Sequence, residues 1–212
     1  MKTVVALRAH SGAQISNLPA MLRERPWAAQ ASRIAVHLGM PAPIAAGGPP
    51  LPPSYDVVIE LWSDAWLDIA GDAVLAALGT LEVYDSREVI GKAGEGRPPV
   101  GATPGLSQLS FIQAIDGMPR GESERHWDEH IPLACDIHVG MSRYVQNRLS
   151  PAGPGARPWF GMAHLHFPDE AALRQGLFRT PEDIRVITED VAEFVSDHIT
   201  MLATEHVVKA EA

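Results

Sequence analysis

The sequence predicts an α+β protein made of two similar β-α-β-β-α-β units whose sheets cover one another, and three observations carry that expectation. One strand is written twice: Tyr55-Asp56-Val57-Val58-Ile59-Glu60-Leu61-Trp62 is echoed by Gly161-Met162-Ala163-His164-Leu165-His166-Phe167, with Glu60 on His164, Leu61 on Leu165 and Trp62 on His166. Its flanks repeat as well, Ser32-Arg33-Ile34-Ala35-Val36 against Ser142-Arg143-Tyr144-Val145-Gln146 and Glu88-Val89-Ile90 against His206-Val207-Val208. Breaker-rich stretches fall at corresponding places: Gly39 to Pro53 and Ser150 to Pro158 each lie between the second and third strands of a copy, and Gly91 to Gly105 separates the copies. Two copies are too few for a solenoid, so the expected organisation is a repeat at 1–93, a linker at 94–105 and a second repeat at 106–212.

Taken in order, Thr3 to Leu7 is too short an apolar run for a signal-peptide core and reads as a first strand. The second copy is the clearer one. It predicts strands over 106–115, 142–147, 161–167 and 200–208, a helix over 121–137 and a short helix near 170–177. A further helix opens at Thr180-Pro181-Glu182-Asp183, where Thr180 can cap and Pro181 suits the first helical position. Ile184, Ile187, Val191 and Phe194 then keep helical spacing. This order is the split pattern of a ferredoxin-like unit, which carries helices on one face of its sheet only. The bare face needs a cover, and the other copy supplies one. Alternation along the strand then turns Ala163, Leu165 and Phe167 toward the helices, and His164, His166, Glu60 and Trp62 toward the enclosed side.

Composition narrows the functional classes. The 212 residues carry a formal charge of -9 with 46% hydrophobic and 20% charged residues, which is ordinary globular material without the Lys/Arg patches that nucleic acid demands. No apolar run approaches the roughly 20 residues of a membrane span. Cys135 is the single cysteine, so an internal disulfide and a thiolate-rich zinc site are both excluded. The expectation is a cytoplasmic protein with a small-molecule substrate, no nucleic-acid or membrane partner, and homodimerisation of the fused chain left open.

The densest chemistry lies in Arg125-His126-Trp127-Asp128-Glu129-His130-Ile131-Pro132-Leu133. Trp127, His130, Ala134 and Ile137 follow helical spacing, so His130 stands on or beside the buried stripe. Pro132 lacks an N–H, which frees the carbonyl of Asp128 and predicts a bend there. The bland alternative is a core-edge histidine bonded to a carbonyl. His126 to His130 also spells His-x-x-Glu-His, a zinc-protease pattern, but no third ligand is evident. His164 and His166 stand about 7 Å apart on one strand face and could exchange protons, ligate a metal or merely line a polar space. Asp197-His198, Glu205-His206 and His10 read as surface groups, and Glu189, Asp190 and Glu193 as a solvated helix face. No phosphate loop or nucleophile elbow is present.

At Trp127-x-x-His130-x-Pro132-Leu133 the chain resembles the EthD family of dimeric α+β barrel proteins. The likeness continues through Ser142 to Asn147, Leu165-His166-Phe167 and the acidic helix Glu189 to Val195, covering about the last half of the chain. The first copy lacks the helix signature and reads as a degenerate half. The resemblance implies paired ferredoxin-like sheets, here as an intrachain pseudo-dimer barrel. It also implies chemistry of the kind performed by isomerases, cyclases, dehydratases and decarboxylases that use no organic cofactor, and it assigns the helix histidine to His130.

The resulting expectation is a cofactor-independent lyase or isomerase acting on a small cyclic or aromatic-derived molecule. His130 is the acid or base, with Tyr144, His164 and His166 as proton partners, because imidazoles exchange protons near neutral pH. Trp127, Glu60, Trp62, Met162 and Asn147 are expected to bind substrate, with Trp159 and Phe160 as further apolar walls. The alternatives are a non-catalytic ligand-binding or accessory protein of a catabolic pathway, and a metal- or haem-binding barrel.

Overall fold

The structure, a computed structural model, describes residues 1–41, 52–96 and 98–210. Its strands are β1 (Lys2–Ala9), β2 (Ala31–Met40), β3 (Val57–Ser63), β4 (Gly79–Lys92), β5 (Gly101–Ala102), β6 (Leu106–Ala114), β7 (Arg143–Pro151), β8 (Gly161–Phe167) and β9 (Val195–Lys209). The helices are α1 (Leu18–Arg23), α2 (Ala73–Leu78), α3 (Arg120–Ile137), α4 (Glu170–Gly176) and α5 (Pro181–Val191). The chain is thus an α+β protein with one large antiparallel sheet of order β2-β3-β1-β4-β7-β8-β6-β9-β5. No helix among the described residues is long and apolar enough to cross a membrane.

Both halves use the same strand order. Within each, the fourth strand neighbours the first, then the third, then the second: β4-β1-β3-β2 and β9-β6-β8-β7. The halves meet at two seams of the same kind, β4 against β7 and β9 against β2, so the hydrogen bonds return to the strand they start from. Glu60 lies between Val4 and Ala35, and His164 between Leu109 and Val145, which gives the two residues the same register.

Strand alternation sorts the side chains into layers. Val5, Leu7, Ile34, Val36, Ile59 and Leu61 pack on Leu18 and Leu22 of α1, on Trp27 and on Leu75 of α2. In the second half Tyr144, Leu165 and Phe167 pack on Ala134 and Ile137 of α3 and on Ile187 of α5. The opposite faces bury one another: Val4, Ala6, Tyr55, Val58 and Tyr84 meet Leu109, Phe111, Leu149, Met162 and Met201. Leu165 and Phe167 therefore face the helices, as alternation requires.

Local signals account for the helices. Thr180 and Asp183 form a capping box at the start of α5, with Pro181 in the first turn. Asp72 caps α2, accepting from the backbone N–H groups of Val74 and Leu75, and also holds Trp27 Nε1 at 2.7 Å. In α3 the buried residues include Trp127, His130, Ala134 and Ile137, while Arg120–Glu124 and Arg125–Glu129 pair one turn apart on the outside. The helix runs unbroken through Pro132, so the proline costs one hydrogen bond without ending the element.

Several expectations need correction. β9 begins at Val195 rather than at Thr200, and the linker contains β5, paired with β9. β2 continues to Met40, and the rest of the Gly39–Pro53 loop lies largely in residues 42–51, outside the described residues. Register also sets Glu88 opposite Asn147 and Glu205 opposite His37, so Glu88 corresponds to Glu205 and not to His206. The irregularities between Ile34 and Ala35 and between Ile90 and Lys92 fall at equivalent places in the two seams and leave this correspondence intact. One residue of slip turns a side chain to the other face, and Glu205 is accordingly buried inside.

At one end of the interior Glu82 accepts from Tyr55 Oη at 2.8 Å and Tyr84 Oη at 2.7 Å, with Arg157 Nε at 3.3 Å and Arg8 also paired to it. Burial alone would raise its carboxyl, but the two phenols and Arg157 outweigh burial and hold it below the ordinary carboxylate value. A depressed carboxyl contributes stability above about pH 4.5, and that contribution is lost as pH falls through its lower folded value. Glu82→Gln should cost on the order of 1–3 kcal/mol at pH 7 and flatten the loss of stability between pH 5 and 3, measured by urea unfolding across that range. Trp127 makes a second demand, because a Cβ on Gly161 would stand 2.2 Å from its ring. Gly161→Ala should cost roughly 1–3 kcal/mol by overpacking, read from the urea midpoint at constant slope.

Candidate functional site

The sheet of the second half has chemistry on both faces. On the helix face, β6, β8, β9, α3 and α5 enclose a cavity of about 240 Å³. Its walls include Trp127, Leu165, Phe178, Val191 and Phe194, with His130, Tyr144, His138, Ser110 and Thr200 as polar groups. His130, on α3, holds Asp190 of α5, with Nδ1 2.5 Å from Oδ2. Its ring meets the Phe194 ring edge-on at 5.9 Å. The carboxylate fixes which nitrogen carries a proton toward it, so Nε2 is the nitrogen left to exchange a proton with a ligand.

Tyr144 shares this cavity. Its hydroxyl accepts from Gln146 Nε2 at 2.8 Å, and the same amide nitrogen holds the carbonyl of Trp127 at 2.7 Å. Burial pushes the phenol up to about 12, so at neutral pH it stays protonated and can donate. Trp127 is buried with the Arg148 guanidinium 4.0 Å above its ring and Phe160 beside it. Burial pushes the neighbouring His138 imidazole down, against the carbonyl of Leu177 that it holds.

The other face looks into the interior, where a cavity of about 800 Å³ opens beside the linker. Glu60, Trp62, His164, His166, Lys2, Arg33 and Arg143 line it, together with Gly94, Gly96 and Pro98 of the linker. Glu60 Oε2 stands 2.8 Å from His37 Nε2 and 3.5 Å from His164 Nδ1, and its Oε1 is 2.7 Å from Lys2 Nζ. Burial alone would raise the Glu60 carboxyl, but Lys2, His164 and His37 hold it well below the ordinary range. Burial pushes His164 down to about 4 despite the Glu60 carboxylate, so the ring is neutral at pH 7. His166 has both nitrogens engaged, Nδ1 with Ser142 Oγ at 2.8 Å and Nε2 with the Pro104 carbonyl at 3.0 Å.

The single site expected from the sequence is therefore two. His130, Tyr144 and Trp127 share the helix-face cavity, whereas His164, His166, Glu60 and Trp62 share the interior one. A sheet separates them, so His164 and His166 cannot relay protons to His130. Met162 packs in the apolar interior, and Asn147 Nδ2 is spent on the Met162 carbonyl at 3.3 Å; neither lines a cavity. Trp159 also belongs to that interior, donating to Tyr55 Oη at 2.9 Å, while Phe160 backs Trp127. The His-x-x-Glu-His pattern does not converge: Glu129 turns outward to Arg125, and His126 lies over Phe194.

Sequence reasoning missed four groups. Asp190 falls between Ile187 and Phe194 on the apolar stripe of α5, which marks an acid turned inward. His37 lies one residue past the compared segment Ser32–Val36 and corresponds in register to Asn147. Glu205 alternates with Met201, Ala203 and Val207, and Arg143 pairs with it at 2.7 Å.

The chain is thus an α+β protein with a large antiparallel sheet and a histidine-bearing helix on the flank of its second half. Residues 115–198 match the family model of the EthD domain, so the second half of the chain carries an EthD domain. Solved structures share the fold at low identity. An anthrone oxidase-like protein is 12% identical with a TM-score of 0.63, covering 100% of this chain and 94% of its own. A candidate monooxygenase from Lactobacillus acidophilus NCFM is 10% identical, TM-score 0.55, covering 100% and 96%. A major regulator of staphylococcal pathogenesis is 10% identical, TM-score 0.51, covering 96% and 98%. Such likeness establishes the fold and leaves function to the site. No curated protein matches the chain.

The His130–Asp190 contact should give a downfield-shifted imidazole N–H resonance in proton NMR, absent in both Asp190→Ala and His130→Ala and retained in His126→Ala.

Proposed function

We propose that the chain is a cofactor-independent lyase or isomerase whose site is the cavity between α3, α5 and the sheet of the second half. The observation that carries this reading is an imidazole held by a carboxylate at the wall of a largely apolar cavity. His130 Nε2 takes or returns a proton, Asp190 orients the ring and balances the charge it gains, and the Tyr144 hydroxyl donates to a carbonyl oxygen on which negative charge develops. Proton removal beside a carbonyl, with return at another atom or loss of a hydroxyl as water, is chemistry these groups can complete. The cavity lies below the roughly 300–1,000 Å³ of drug-sized ligand sites, which favours a small cyclic or aromatic-derived substrate. The aromatic walls supply flat contact surface.

In this reading residues 1–93 and 106–212 are two copies of one ferredoxin-like unit, joined by residues 94–105 into a fused pseudo-dimer barrel. The matching strand order and the two equivalent seams support it. The first copy has only short helices and no counterpart of His130, so it serves as the cover.

Incubation with a panel of cyclic enones, lactones and hydroxylated aromatic ketones, without added cofactor, tests the function. For a substrate that turns over, His130→Ala should lower kcat by roughly 10²–10⁴-fold. Tyr144→Phe should lower it about tenfold, the worth of one hydrogen bond. An unimpaired rate in His130→Ala overturns the mechanism.

A further inference from the structure

The interior cluster has no part in the chemistry above, yet it is the more unusual piece of construction. His37 on β2, Glu60 on β3 and His164 on β8 are all buried, and one ligand atom from each lies within 4.8 Å of the others. Among the described residues this is the one grouping of three such side chains able to hold an ion. We propose that His37, Glu60 and His164 bind one divalent first-row transition-metal ion at the floor of the interior cavity.

The donor set fits such an ion. Two imidazoles and one carboxylate suit iron(II), zinc, cobalt or manganese better than calcium or magnesium, which prefer oxygen. Glu60 Oε2 is the oxygen that faces both rings; its 3.5 Å separation from His164 Nδ1 is close to the ~3.4 Å spacing that tetrahedral bonds of about 2.1 Å impose, while the 2.8 Å hydrogen bond to His37 Nε2 would lengthen on metal entry. Lys2 occupies the other oxygen, Oε1, so one-oxygen coordination leaves that ion pair intact. The ligands come from strands, which hold their side chains more rigidly than loops do. They also come from both halves, since Glu60 and His164 occupy the same register in their respective sheets and meet across the interior.

Two buried polar atoms point the same way. His37 Nδ1 and Glu205 Oε1 are buried without a hydrogen-bond partner among the described residues, a costly state. The two residues sit directly opposite on neighbouring strands. A metal on His37 Nε2 leaves Nδ1 carrying a proton; Glu205, its cross-strand partner, makes no bond to it in this structure and would reach it only by a side-chain movement, which would complete the usual carboxylate support of a ligating histidine. Glu60 and His164 also line the cavity, so coordination positions not filled by protein open into it.

Untagged protein stripped with a chelator is titrated with cobalt(II) and zinc by calorimetry and absorption. One ion per chain should bind, with cobalt d–d bands of a nitrogen- and oxygen-ligated site. His37→Ala, His164→Ala and Glu60→Gln should each weaken binding at least 100-fold, while His126→Ala and His130→Ala leave it unchanged. Because a buried variant can misfold, the decisive measurement is pulsed EPR on copper-loaded wild-type protein, which should show two coupled imidazoles. Absence of saturable binding, one imidazole or none, or loss of the signal in His130→Ala would each overturn the assignment. The readout is independent of turnover, so the acid–base reading of the helix-face cavity stands or falls separately.

Discussion

A sheet that is apolar on both faces, with helices on only one of them, cannot leave the other in water, and everything else in this molecule follows from how the bare faces are covered. Here they cover each other. Val4, Ala6 and Val58 from the first half meet Phe111, Met162 and Met201 from the second, and the seams β4–β7 and β9–β2 replace exposed strand edges with hydrogen-bonded ones. The apolar middle keeps water out, while charged groups are confined to the two ends. At one end Glu82 is saturated by phenols and guanidinium groups; at the other, Glu60 is shared between two imidazoles and an ammonium.

Because the sheet is covered on both sides, each of its strands has two chemically distinct faces. Leu165 touches the helix layer while its neighbours His164 and His166 touch the interior. An imidazole on α3 and an imidazole on β8 can thus lie close in space and still be isolated by a layer of backbone. This division leaves the helix-face cavity with one histidine oriented by a carboxylate. In the interior, burial keeps the His164 ring neutral at pH 7 and His166 has both ring nitrogens engaged.

The fold was largely legible because its signals are periodic. The doubled strand, the 3.6-residue stripe of α3 and the Thr180-Pro181 start of α5 each specify local structure without reference to anything distant. Alternation even placed Leu165 and Phe167 on the correct face. The site was legible only in part. His130, Trp127 and Tyr144 share a cavity, but pairing them with His164 and His166 ignored that a histidine on a helix-facing stripe and one on the opposite strand face never meet. Asp190 was hidden by its acidic neighbours, which look solvated until its position between Ile187 and Phe194 is weighed. Glu205 was missed because matching Glu88 to His206 sets the last strand one residue out of register, which turns Glu205 to the outer face.

The two halves are also unequal in an informative way. If one unit were paired with an identical copy, equivalent strand positions would meet as like residues: two carboxylates that repel, or two imidazoles with no counter-charge. A single chain removes that restriction. At the shared register the first half supplies Glu60 and the second supplies His164, and at the next strand the first supplies His37 where the second has Asn147. At both positions the difference between the halves lets a carboxylate lie between two imidazoles. The helix layer diverges in the same sense: α3 spans 18 residues and carries His130, whereas α1 has six and presents Leu18 and Leu22 to the core. The second half has a thick helix layer with a cavity beneath it and the first a thin one, so the two faces of the second half's sheet meet different surroundings.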